Sequence, residues 1–202
     1  MKKLGILLIM LSIISSFIYV GYNHIKKQKN MSNINTYINE TSNKNENVET
    51  LEKINNESNK ENNNIKKINY TAILEIPSIK LKEGLVDSTK NFNSINYAVS
   101  VDKNSNYPNE MGNFILYAHS GNSSVAFFKN INKVKLNDTI YVYFNGVKYK
   151  YVVSNIYDIK KTGKAEVIKT NNSRVVTLIT CNQHKEGYQT IVIGKMKSEE
   201  KY

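Results

Sequence analysis

The sequence predicts a mainly β domain, a closed barrel or sandwich with short helices, carried behind an apolar N-terminal segment and a polar connecting stretch. Three observations predict it. From Tyr70 onward, segments rich in Ile, Val, Tyr, Phe and Thr recur at short intervals, the residue types that fit a pleated, half-buried surface. "YVYFNGVKYKYVV" sets Asn145-Gly146 between two alternating runs, a strong short-range hairpin signal. Helical signals in this part are brief, over 88–95 ("STKNFNSI") and 124–131 ("SVAFFKNI"). Many short strands with little helix point to a barrel or sandwich.

The N-terminal segment, residues 1–29, opens with two lysines and then runs from Leu4 to Tyr22 without a charge. As a helix this run is roughly 28 Å long, close to the hydrocarbon thickness of a bilayer. Tyr19 and Tyr22 sit near one end, where aromatic rings favour the interface. A cleaved signal peptide is the alternative, but "SIISSFIYVGY" offers no clear Ala-x-Ala site, so an uncleaved transmembrane anchor is expected. Lysines flank both ends, and charge asymmetry does not set the orientation.

Residues 30–69 hold fourteen asparagines, few large apolar side chains and mixed charge. Such a stretch buries too little apolar surface to offset its ordering entropy, and a flexible linker is expected. Val48, Leu51 and Ile54 recur at helical spacing and mark a weak helical tendency within it. Residues 70–202 form the expected catalytic domain, with strands in "YTAILEIPSIKL", "NFILYAHS", "DTIYVYFNGVKYKYVVSNIYDI", "RVVTLITC" and "YQTIVIGKM".

Of the net charge of +11, the first 29 residues contribute +5, residues 30–69 contribute −1 and the remainder +7. The lysines of the last part alternate along strand-like segments such as "VKLNDTIYVYFNGVKYKYVV", which reads as a solvated face. No nucleic-acid motif accompanies them, and no nucleic-acid partner is expected. A single cysteine excludes an intramolecular disulfide, and three histidines make a Cys/His zinc site implausible. Asp102 and Glu110 in "VDKNSNYPNEMGN" are too few for a calcium site, so no metal and no cofactor are expected.

Cys181 closes an apolar, β-branched run and precedes a polar loop containing Gly187. Free cysteines are commonly buried as small hydrophobes. A strand end before a loop is nevertheless where a ligand reaches a side chain. His119 occupies a like position in "NFILYAHSGN", and a thiol nucleophile needs a neighbouring imidazole or other cation. Spacing alone leaves the two readings of Cys181 open.

"TLITC" resembles the hallmark strand of the sortases, membrane-bound transpeptidases of Gram-positive surfaces. "NFILYAHS" resembles their histidine strand, "AILEIPSIKL" their opening strand, and "FFKNINKVKLNDTIYVY" the segment after the histidine. The likeness runs in order over residues 70–196 behind an N-terminal anchor. It implies an eight-stranded β-barrel on the outer side of the cell membrane, held by one membrane span. It implies that Cys181 attacks a Leu-Pro-x-Thr-Gly-like sorting signal between Thr and Gly, and that His119 acts as general acid. Surface proteins bearing that signal and an amine from a peptidoglycan precursor are the implied partners. Backbone amides around Thr180 and Cys181 would serve the oxyanion. The likeness does not choose a subclass.

The sortase pattern also has an Arg on the strand after the cysteine, and "YQTIVIG" places Gln189 there. Arg174, the sole arginine, lies seven residues before Cys181, roughly 23 Å along a strand and on the opposite face. It is expected to be a surface residue. Lys185, His184 and Lys195 are the other candidate charges. Gln189 keeps an amide donor but no cation. Three readings follow: a transpeptidase with an atypical third residue, a non-catalytic module that binds sorting-signal peptides or cell wall, or a cysteine peptidase that hydrolyses them.

Overall fold

The computed structural model describes residues 2–46, 68–90, 93–162 and 172–202, with side chains in the first helix described over residues 9–43. Helix α1 (Lys2–Glu46) precedes eight strands: β1 (Ala72–Ile76), β2 (Leu81–Asp87), β3 (Val99–Val101), β4 (Gly112–Tyr117), β5 (Thr139–Phe144), β6 (Val147–Lys160), β7 (Arg174–Cys181) and β8 (Tyr188–Lys201). They close into a barrel in the order β1-β2-β3-β4-β7-β8-β6-β5. β2–β3 and β4–β7 are parallel pairs; the other ladders are antiparallel.

The strands expected from composition are present. Asn145 and Gly146, both at positive φ (50° and 75°), close the β5–β6 hairpin in the twist that flanking strands prefer. The two brief helices are not α-helices. The first contributes a 3-10 turn over Ser94–Asn96, and Ile131–Lys133 is a 3-10 turn at the end of the second. Each is a connector between strands, too short to bury an apolar stripe of its own.

Alternation along the strands builds two apolar layers. Leu74, Leu85, Val99, Phe114, Leu116, Ile140, Val142, Val176, Leu178 and Val192 fill the barrel interior. Ile115, Val175, Ile179, Ile191 and Ile193 form a second cluster, with Tyr117, Tyr157 and Ile159 packed against it. Because side chains alternate with period two, these odd-numbered residues of β7 and β8 lie on the opposite face of the sheet from Val176, Leu178 and Val192. Cys181 and Gln189 share the parity of this second, outer face.

α1 corrects one expectation. Residues 30–46 are helical and dock on the barrel instead of forming a flexible linker; Val48, Leu51 and Ile54 lie outside the described residues. The docking stripe is Asn30, Ile34, Tyr37 and Thr41, spaced at three and four residues. Ile34 is fully buried. Asn30 Nδ2 donates to Glu83 Oε2 (2.7 Å), Tyr70 Oη donates to Asn30 Oδ1 (2.7 Å), and Tyr37 Oη donates to Thr71 O (2.8 Å). Ser42 Oγ donates to Tyr202 O (2.9 Å), tying the helix to the end of β8. Three of the four stripe residues are polar, so no hydrophobic period announces the contact. Gly84 is required here, because a Cβ would collide with the Tyr70 ring. Among the described residues, no helix is long and apolar enough to cross a membrane.

Glu83 makes this docking sensitive to pH. Burial, only partly opposed by the Asn30 amide and by Lys26 and Lys27, pushes its carboxyl up to about 7. A raised acid favours the docked state while protonated, so its contribution is complete below the ordinary carboxylate range and lost as pH rises through 7. We expect α1 to loosen between pH 5 and 8 by up to about 3 kcal/mol. Hydrogen exchange of residues 30–43 at the two pH values checks this, and Glu83→Gln should abolish the difference.

Candidate active site

The parallel β4–β7 pair assembles the site. Its register runs from Gly112↔Arg174 to Tyr117↔Ile179, and continued by two residues it sets His119 beside Cys181. Adjacent strands lie ~4.8 Å apart, so the chain at His119 leaves β4 beside the Cys181 end of β7. Three side-chain bonds fix the pair. Thr177 Oγ1 donates to Asn113 Oδ1 (2.9 Å), Thr180 Oγ1 donates to Ala118 O (2.8 Å), and Ser120 Oγ donates to Cys181 O (2.6 Å). Phe128 N–H donates to His119 O (3.0 Å) and holds the histidine backbone from the following loop.

β8 supplies the next residue. Gln189 is the direct antiparallel partner of Cys181. Such facing residues have Cβ atoms about 5 Å apart, so the Gln189 amide stands against the thiol on the side away from His119. Cys181 is exposed, while His119 and Gln189 are half-buried. The outer apolar cluster around Ile179 and Ile191 runs up to this trio, so a chain laid along it would present a carbonyl at Cys181.

Thr180 lies beneath the site. Its side chain is buried and its hydroxyl is engaged with Ala118, so at an oxyanion it has only its backbone N–H to offer. Arg174 stands at the far end of β7, where its Nη1 pairs with Glu199 Oε2 (2.6 Å) and approaches Pro108 O (3.5 Å). The other candidate charges are engaged or remote. Lys185 Nζ sits 3.6 Å over the Tyr188 ring, and His184 Nε2 is hydrogen-bonded to Asn132 Nδ2 (3.0 Å). Lys195 pairs with Val175, near the opposite end of β7. Asp102 Oδ1 accepts from Asn104 N–H (2.8 Å) and Glu110 Oε2 from Tyr107 N–H (3.1 Å), which shapes the loop before β4.

One group was not singled out by the sequence. Lys161, directly after β6, brings its Nζ to 3.8 Å from Cys181 Sγ. Its backbone N–H donates to Gly187 O (2.7 Å), and Gly187 holds φ 74°, a conformation open to glycine. No motif in the sequence marks this lysine among the many on strand surfaces.

A family model described as the sortase domain matches residues 74–197. The chain belongs to the sortase family. It is 28% identical over 121 residues to sortase A of Bacillus anthracis, a match covering 60% of this chain and 56% of that relative's length. Among solved structures, sortase A of Listeria monocytogenes superposes with a TM-score of 0.58 at 23% identity, over 66% of this chain and 90% of that one. Sortase C-1 of Actinomyces oris superposes at 0.57 with 26% identity, over 63% and 73%. The eight-stranded barrel expected from the resemblance is the observed fold.

Thr180→Val tests the reading of that residue as a strand tie. It should lower stability by about 1–3 kcal/mol, the cost of an unmet buried bond, seen as a reduced thermal midpoint. Below that midpoint, alkylation of Cys181 should proceed at the wild-type rate.

Proposed function

We propose that this sortase is a cysteine transpeptidase acting on sorting-signal proteins at the cell surface. The observation that carries the reading is that His119, Cys181 and Gln189 stand at the adjoining ends of β4, β7 and β8, with Cys181 open to solvent. The Cys181 thiolate attacks the carbonyl carbon of the Thr in a Leu-Pro-x-Thr-Gly-like signal. The tetrahedral oxyanion accepts hydrogen bonds from the Gln189 amide and from backbone N–H groups near Cys181. The C–N bond then breaks, His119 gives its proton to the departing Gly amine, and a thioester remains. An acceptor amine attacks the thioester, its proton passes to His119, and the thiolate leaves. Two moderate barriers replace one high one.

The cell-surface placement rests on α1. Ile9, Leu11, Ile13, Ile14, Phe17, Ile18 and Val20 are all exposed on it, and so many exposed large apolar side chains, though interrupted by Ser12, Ser15 and Ser16, call for an apolar surrounding. The uncharged run beginning at Leu4 supports a single membrane span, and the likeness to the sortases, not the flanking charge, favours the barrel outside.

The detergent-solubilised full chain, incubated with a library of sorting-signal peptides, should gain an acyl mass at Cys181 that added amine removes. Cys181→Ala should show none, and His119→Ala should slow acylation by about a hundredfold or more. Peptide binding without any adduct would favour a binding module. Cleavage whose yield ignores added amine would make the protein a peptidase.

A further inference from the structure

We propose that Lys161 is a catalytic residue whose ammonium pairs with the Cys181 thiolate, supplying from β6 the positive charge that β8 lacks at Gln189. The inference rests on the transpeptidase reading and deepens it. Nζ lies 3.8 Å from Sγ, within hydrogen-bonding range for sulfur. The lysine is held there by its own backbone, through the 2.7 Å bond from its N–H to Gly187 O, the residue that ends the loop after Cys181.

The strand order makes the reach short. β8 lies between β6 and β7, with Gln189 paired to Ile159 on one side and Cys181 on the other. Two residues past Ile159, the chain leaves the ladder and the four-carbon stem of Lys161 spans the β8 end. Three charged groups near Lys161 are committed elsewhere, while Glu186 of the loop is exposed. Lys185 is over Tyr188 and His184 is bonded to Asn132. Asp158 accepts from Thr190 Oγ1 (2.8 Å), on the face turned away from Cys181. The ammonium therefore meets the thiolate without a competing carboxylate from β6 or β8.

A cation within reach of the sulfur attracts the thiolate, the form that attacks. As the tetrahedral intermediate forms, that negative charge moves from sulfur to the carbonyl oxygen, and the ammonium remains beside it. When the C–N bond breaks, the charge leaves the oxygen with the departing amine, which His119 protonates. Arg and Lys differ here: a point charge on a flexible stem follows the moving charge, without the bidentate geometry of a guanidinium.

Because Cys181 is the sole cysteine, alkylation by iodoacetamide reports on it alone. With the full chain at pH 7 and low salt, Lys161→Gln should slow alkylation about fivefold, the effect of one unit charge at this range in water. Lys161→Arg should retain the wild-type rate. In 1 M salt, where the screening length falls to about 3 Å, the wild type should approach the Gln variant. In a Lys161→Gln background, Gln189→Arg should restore peptide acylation. Equal alkylation rates and equal salt dependence in wild type and Lys161→Gln would overturn the pairing, whatever the peptides do. The expected alkylation pattern without any acyl adduct would leave the pairing intact and remove the transpeptidase reading.

Discussion

The parallel pairing of β4 with β7 is the constraint on which the site depends. Both strands start at the same height, with Gly112 matched to Arg174, and the register holds without a bulge to Tyr117↔Ile179. A slip of one residue would turn Cys181 to the barrel interior and leave His119 on the other face, since side-chain direction alternates with every residue. The bonds from Thr177 to Asn113, Thr180 to Ala118 and Ser120 to Cys181 resist that slip along the whole pair. The last of them grips the nucleophile's own carbonyl. A barrel with no free edge holds this central pair against its neighbours, β3 on one side and β8 on the other.

Chemistry and packing are divided by residue parity. Even-numbered positions of β7 fill the interior and supply the buried tie at Thr180, while odd-numbered positions build the outer apolar floor and end in Cys181. In the proposed reaction, a peptide chain on that floor would exchange water for apolar contact and reach the thiol already oriented, so that binding away from the reacting bond would assist it. Cys181 is exposed where β7 stops and the polar loop over 182–187 begins.

Positive charge at the site comes from outside the strand that holds it in the wider family pattern. Gln189 retains position and a donor but no charge, whereas Lys161 has charge without a place in any ladder. Placing the charge on the chain end after β6 makes the site rely on the β6–β8 ladder, the longest in the barrel, and on the Gly187 turn.

Much of this was legible in order along the chain. β-branched runs, the Asn145-Gly146 turn, and the positions of Cys181 and His119 at strand ends are local properties, read from propensity and period. The quoted motifs and their order carried the family and, with it, the closed eight-stranded barrel. Arg174 could be set aside by length and parity alone, and its partner Glu199 at the far end of β7 agrees. Two features were decided only by the tertiary structure. The docking of residues 30–46 uses a mostly polar stripe matched to Glu83, Tyr70 and Thr71, and hydrogen-bond complementarity leaves no hydrophobic period to read. The approach of Lys161 to Cys181 depends on the strand order, which sets Gln189 of β8 between Ile159 of β6 and Cys181 of β7. Which strand comes to lie between which is decided by long-range pairing, and nothing local in the sequence states it.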